Sequence, residues 1–242
     1  MAQNIYDDEG FFARYSDMIR SVEGLAGAAE WPAMRALLPP LGGARVLDLG
    51  CGFGWFARWA REEGAALVLG VDISDKMLER ARTMTNDSSI AYVRADLEGF
   101  EPPPGGFDLV HSSLALHYID DLERVFGRVH RALSPSGRLV FSVEHPIYTA
   151  PTAPGWVTNA AGRKAWPVDG YQDEGPRTTR WLGRDVVKQH RTIGTYVGLL
   201  LRAGFAIAHL EEWTPTPAQV EARPDWAQER DRPMFLLIAA QA

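Results

Sequence analysis

The nine residues Val46-Leu47-Asp48-Leu49-Gly50-Cys51-Gly52-Phe53-Gly54 restrict this chain more than any others. An apolar run fit for a buried parallel strand ends in three glycines at alternate positions, and Trp55-Phe56-Ala57 then reads as the start of a helix. Glycines at such a turn let the backbone bend sharply and let a ligand approach main-chain N–H groups without a Cβ in the way. Asp48 stands two residues before the first glycine, and an acid against the loop suits a ligand with a positive group.

The rest of the chain repeats the rhythm. Helices are expected at 11–25, on Phe11, Phe12, Tyr15, Ile19 and Val22, and at 32–38, with Pro32 in its first turn. Strands read at 44–49, 67–72, 90–95, 107–113 and 137–144, and helices at 54–63, 75–85 and 121–133, with Ser74 as an N-cap. Alternating strands and helices with near-continuous apolar strands imply a parallel sheet covered on both faces. The loops at 50–54, 72–75, 96–99 and 112–118 would line one edge, where doubly wound sheets bind ligands. The rhythm stops at 145–189, which carries Pro146, Pro151, Pro154, Pro167, Pro176 and Trp156, Trp166 and Trp181. That stretch reads as a lid without regular structure. A helix at 190–203 follows, and strands at 205–212 and 233–240, joined without a clear helix, make an antiparallel ending.

These segments fit a single domain of 1–242: a helical cover over 1–40, a ligand-binding core over 41–144, a substrate lid over 145–189, and a helix and hairpin over 190–242. A net charge of −6 argues against broad nucleic-acid contact. The one cysteine, Cys51, excludes an internal disulfide and a multi-cysteine metal site and fits a cytoplasmic setting. The acidic, polar Met1–Gly10 does not resemble a signal peptide, and no apolar run reaches the roughly 20 residues that span a bilayer. No membrane insertion and no metal are expected. The sequence leaves the oligomeric state open, a homodimer included.

The glycine turn alone is ambiguous, because Gly52-x-Gly54-x-x-Ala57 satisfies a loose dinucleotide fingerprint. Asp72, ending the second strand, suits the two hydroxyls of an adenosine ribose in either NAD or S-adenosylmethionine. Asp96, ending the third, suits the exocyclic amine of adenine, and Asp48 would repel a pyrophosphate but attract an ammonium.

Val46–Gly54, Gly70-Val71-Asp72-Ile73-Ser74 with Met77, Arg94-Ala95-Asp96, Phe107–Tyr118 and Leu133–Phe141 together resemble the class I S-adenosylmethionine-dependent methyltransferases, in the small bacterial branch grouped with the ubiquinone/menaquinone-type enzymes. The resemblance covers about 40–145. It implies a Rossmann-like, doubly wound, seven-stranded sheet, mostly parallel with an antiparallel last strand. It also implies methyl transfer from S-adenosylmethionine to a small-molecule O, N or C acceptor, leaving S-adenosylhomocysteine. The rival readings are a nicotinamide-dependent oxidoreductase and a non-catalytic S-adenosylmethionine-binding protein.

On that resemblance Asp48, Gly50 and Gly52 floor the methionine part, and Asp72 holds the ribose. Ile73 and Met77 pack near the sugar or adenine, Asp96 meets the adenine amine, Leu97 covers the ring, and the Ser112 carbonyl takes the methionine ammonium. Ser136 stands where the family's turn usually has glycine, a small departure. Tyr6, Tyr15 and Arg20 would close over the cofactor, with Arg20 on its carboxylate. His117, His145 and His190 are the base candidates, since histidine titrates near neutrality. His111, inside a strand, reads as a hydrogen-bonded core residue. In the lid, Tyr171, Glu174, Arg177 and Trp181 suit a small, partly polar acceptor.

Overall fold

The computed structural model describes residues 3–242. Helices α1 (Glu9–Ser16), α2 (Ile19–Val22) and α3 (Trp31–Leu37) form the N-terminal cover. The single helix expected over 11–25 is broken: Met18 is extended at φ −67°, ψ 145°, and Gly24 takes φ +63°. A Cβ on Gly24 would lie 2.5 Å from the Trp55 ring, so close packing against the glycine turn outweighs helical periodicity here.

The core then alternates β1 (Arg45–Leu49), α4 (Trp55–Glu62), β2 (Leu67–Asp72), α5 (Asp75–Thr83), β3 (Ile90–Arg94), β4 (Phe107–Ser113), α6 (Leu122–Ala132) and β5 (Leu133–Glu144). The expected Ser74 cap forms, its hydroxyl accepting from the Met77 N–H at 3.1 Å, and the Asp121 carboxylate likewise accepts from the Arg124 N–H at the start of α6. Strand β5 starts four residues before the expected 137, and its pairing with β4 shifts register after Phe107. Ser136 sits at that irregularity with φ +67°, a left-handed conformation that costs a non-glycine residue roughly 1–2 kcal/mol. The departure from glycine there is therefore a strained one.

The expected structureless lid has elements of its own. They are α7 (Pro146–Thr149), a short ribbon of β6 (Val157–Thr158) with β7 (Lys164–Ala165), and a hairpin of β8 (Gly175–Trp181) with β9 (Arg184–His190). Polar residues on the outer face of β8 hid its period-2 pattern, although exposure alternates along it residue by residue. His190 closes β9, so α8 (Ile193–Arg202) starts three residues later than expected, capped by Thr192. After β10 (Ala206–Trp213), the connection read as lacking a helix carries α9 (Pro217–Ala222), held by a Thr216–Gln219 capping box, and β11 (Phe235–Gln241) ends the sheet.

The seven strands run in the order β10-β11-β5-β4-β1-β2-β3, with β11 antiparallel to both neighbours. This is the expected Rossmann-like sheet with its last strand reversed. Side chains alternate between two cores. Leu139, Phe141 and Val143 of β5 join Leu47, Leu49, Phe126 and Tyr196 on one face, whereas Val140 joins Val46, Val68 and Phe56 on the other. Each such side chain contributes about 1.5–3 kcal/mol on burial, which holds the strand ends in place as a rigid floor.

Candidate active site

A cavity of about 850 Å³ opens at the carboxyl ends of β1, β2, β4 and β5, roofed by the N-terminal cover and the β8–β9 hairpin. Its floor begins at Asp48, which is 2% exposed and pairs in register with His111 on β4. Asp48 Oδ1 lies 2.8 Å from His111 Nδ1, and the imidazole stacks on Phe56 at 3.5 Å between centroids. His111 is thus hydrogen-bonded, as the strand pattern implied, and it also lines the cavity. Asp48 Oδ2 is buried and has no hydrogen-bond partner among the described residues. Beside it the glycine turn fits tightly on one side and opens on the other. A Cβ on Gly50 (φ +73°) would lie 2.3 Å from that of Ala115, whereas one on Gly52 (φ +51°) meets nothing within 4 Å.

Asp72, at the end of β2, accepts from the Gly52 N–H on one oxygen and the Ser74 N–H on the other, both at 2.9 Å. Burial lifts its carboxyl from an ordinary 3.8 to about 6, against those amides, which favour the anion. Each oxygen keeps a lone pair for a further donor. Ile73, Met77, Asp96 and Leu97 continue the wall. Asp96 Oδ1 accepts from the Glu98 N–H at 3.0 Å. The Ser112 hydroxyl donates to the Leu49 carbonyl at 2.8 Å, and at the end of β4 the lining residues are Ser113, Leu114 and Ala115.

From the cover, Tyr6 Oη lies 3.1 Å from Tyr118 Oη, and Tyr15 packs edge-on against Phe53 and Trp181. Burial raises the pKa of all three tyrosines, so each keeps its proton at neutral pH. Arg20 lines the cavity and is ion-paired with the buried Glu30.

The three candidate histidines separate. His145 lies outside the lining: its Nδ1 accepts from the Ile147 N–H at 3.0 Å, capping α7, and its Nε2 is 2.9 Å from Glu212. His190 is likewise outside, between the Thr149 hydroxyl at 2.8 Å and the Tyr171 carbonyl at 3.0 Å. Burial lowers the pKa of both rings. His117 lines the cavity, where its Nδ1 accepts from the Glu144 N–H at 3.3 Å. Burial first, then Lys188, Arg191 and Arg20, push its pKa well below the ordinary histidine value, so it is neutral.

In the lid, Arg177 and Trp181 line the cavity and Tyr171 does not. Glu174 accepts from the Thr192 N–H at the start of α8. Two lining features escaped the sequence reading. Lys188 of β9 ion-pairs with Glu144 at the end of β5, its Nζ 5.2 Å from the Trp181 ring centre, and Arg232 lies among aromatic rings. Lys188 shares the buried phase of Val186 and His190 along β9, a period-2 signal hidden by the polar residues between them.

Among the described residues no group of three or more His, Cys, Asp or Glu side chains could hold a metal ion, and no helix is long and apolar enough to cross a membrane. S-adenosylmethionine offers an ammonium, a ribose diol and an adenine. A buried, unpartnered Asp48 oxygen beside the open face of Gly52, with Asp72 one strand away, fits such a group.

Residues 47–141 match the family described as the methyltransferase domain. A crystal structure of an S-adenosylmethionine-dependent methyltransferase from Mesorhizobium loti shares 60% identity at a TM-score of 0.88, covering 90% of this chain and 100% of that one. A Haemophilus influenzae protein with no stated function is 34% identical over 98% of this chain and 96% of its own length. A malonyl-[acyl-carrier protein] O-methyltransferase of Enterobacter lignolyticus is 35% identical over 155 residues, 64% of this chain and 55% of that relative. A 60% identical methyltransferase with the same fold along its whole length, together with a site whose orphaned carboxylate suits the methyl donor, makes this chain a member of the S-adenosylmethionine-dependent methyltransferases.

Proposed function

We propose that the enzyme methylates an oxygen of a small acceptor that enters already anionic, with carboxylic acids as the favoured class. The observation that carries this reading is the tautomer of His117. A neutral imidazole whose Nδ1 accepts the Glu144 N–H bears its proton on Nε2, so it is a donor and not a base toward the cavity. The tyrosines beside it hold their protons, and Glu144 is bound to Lys188. An anionic oxygen needs no base. Arg177, Lys188 and Arg232 on the same walls favour such a group. The malonyl relative is named for transfer to oxygen, which agrees with this reading.

When bound, S-adenosylmethionine supplies a methyl on a sulfonium, already activated as an electrophile. In this reading Asp48 Oδ2 accepts from the ammonium, and the bare backbone at Gly50 and Gly52 lets the methionine part lie close. Asp72 accepts the ribose hydroxyls, Ile73 and Met77 flank the nucleoside, Asp96 takes the adenine amine and Leu97 covers the ring. Tyr15 closes the roof, with Arg20 near the donor's carboxylate and Trp181 as an acceptor wall. The chain's own work is to orient two reactants and exclude water, and orientation can supply several kcal/mol of the barrier.

Label from the methyl donor, offered with a panel of small carboxylic acids, phenols and amines, is the test. The expected product is a methyl ester that releases labelled methanol in alkali. Products confined to alkali-stable N-methyl compounds would sink the reading. With saturating donor, kcat is expected to stay flat between about pH 6 and 8. A limb near pH 6.5 that vanishes in His117→Gln would restore a histidine base.

Asp72 adds a pH dependence of opposite sign on binding and stability. Ribose hydroxyls donate to the ionised carboxylate, whereas the free site is protonated below about pH 6. Donor affinity is expected to fall by up to about tenfold per pH unit below that value, as read by calorimetry. The same raised pKa means the folded state holds a proton the unfolded chain releases. Its contribution to ligand-free stability is therefore largest below pH 3.8 and lost as the pH rises through 6. An affinity independent of pH from 5 to 7 would remove Asp72 from the ribose.

A further inference from the structure

The guanidinium of Arg232 lies 4.2 Å from the ring centre of Trp166, 4.6 Å from that of Tyr148 and 5.1 Å from that of Trp156. Its Nε donates to Glu229 Oε2 at 3.0 Å and its Nη2 to the same oxygen, while Nη1 makes no bond to that carboxylate. Arg232 is 7% exposed and Glu229 6%. Arg232, Tyr148 and Trp166 all line the cavity, beyond Glu144 at the end of β5.

Three rings around a guanidinium that is itself paired with one carboxylate outline a receptor for an organic cation, because each ring presents a negative face and the acid supplies the countercharge. In this chain the receptor carries its own cation. Two of its rings flank the β6–β7 ribbon of the lid, whereas Arg232 lies in the segment leading into β11. Nothing in the sheet requires a guanidinium there. A buried Arg–Glu pair is often replaceable by apolar side chains with no loss of stability, so a role in packing alone is a weak reason to keep it.

We propose that Arg232 sets the charge selectivity of the acceptor end of the cavity: it occupies a ready-made cation box, turns away acceptors with an ammonium group, and leaves a positive wall that suits acids. The inference does not depend on which atom receives the methyl. Selectivity of this kind is built by repulsion as much as by attraction. Without the guanidinium, the same rings and the uncompensated Glu229 should bind a small organic cation.

The test uses the full-length protein with tetramethylammonium chloride, against sodium chloride at equal ionic strength. Arg232→Ala is expected to bind tetramethylammonium saturably in calorimetry, about tenfold or more tightly than the wild type, and to gain thermal stability from it. Glu229→Gln in the Arg232→Ala background should abolish most of that gain. Arg232→Gln, which keeps much of the side-chain volume, should show the same preference and serves if the alanine variant does not fold. Equal binding by wild type and both variants would overturn the proposal, as would a gain indifferent to Glu229.

Discussion

Asp72→Asn should weaken S-adenosylmethionine binding by about 30- to 1,000-fold while leaving the fold intact. The range follows from the bonds involved. Two hydrogen bonds from ribose hydroxyls to a carboxylate contribute about 1.5–3 kcal/mol each, and a neutral amide keeps part of one. A net loss of roughly 2–4 kcal/mol converts to that range at about 1.4 kcal/mol per factor of ten. Asn also turns an NH2 toward either the Gly52 or the Ser74 amide, which now meet two acceptor oxygens. One end of the glycine turn therefore loses its tether. Against this, the substitution removes a buried charge whose ionisation burial already opposes. The melting temperature should accordingly move by only a few degrees, and the pH dependence of affinity should disappear. Calorimetry with S-adenosylmethionine and S-adenosylhomocysteine at pH 7.5 and 5.5 reads all of this. Wild-type affinity in the variant would end the ribose assignment.

The residues proposed for the donor half of the candidate site were legible in the sequence because their chemistry is local. Asp48, the glycines and Asp72 sit at strand ends, where a doubly wound sheet must present them, and apolar runs mark strand ends clearly. The acceptor half was not, because it is assembled from distant segments. His117, His145 and His190 are equivalent as letters in a sequence. They differ only in what surrounds each ring, an N-cap duty for one and a Thr149–Tyr171 clasp for another. The lid strands were hidden by the polar faces of a two-stranded hairpin, and α9 by its six-residue length. The expected first helix breaks at the extended Met18, and a few residues later Gly24 packs against the Trp55 ring, a tertiary contact that no local pattern carries.

Lys188→Met is expected to lower the melting temperature by about 6–20 °C and to abolish turnover. The Lys188 side chain is 7% exposed and the Glu144 side chain 16%, so neither charge is well served by water. Removing one partner of a buried pair leaves the other uncompensated, which typically costs about 3–5 kcal/mol. At this chain length each kcal/mol moves the melting temperature by about 2–4 °C. Glu144→Gln should also destabilise, leaving a buried ammonium with a neutral amide oxygen and the Trp181 face in place of its countercharge. The double variant separates structure from chemistry. Removing both leaves no unpaired charge, so Glu144→Gln/Lys188→Met should recover most of the lost stability and bind S-adenosylmethionine as the wild type does. If Lys188 serves only to hold β9 against β5, that variant should also regain activity. If it orients an anionic acceptor beside the Nε2–H of His117, the variant stays folded, loaded with donor, and inactive. Melting curves, donor calorimetry and methyl-ester formation on the four proteins of this cycle decide between the two, and single variants as stable as the wild type would remove the ion pair from both accounts.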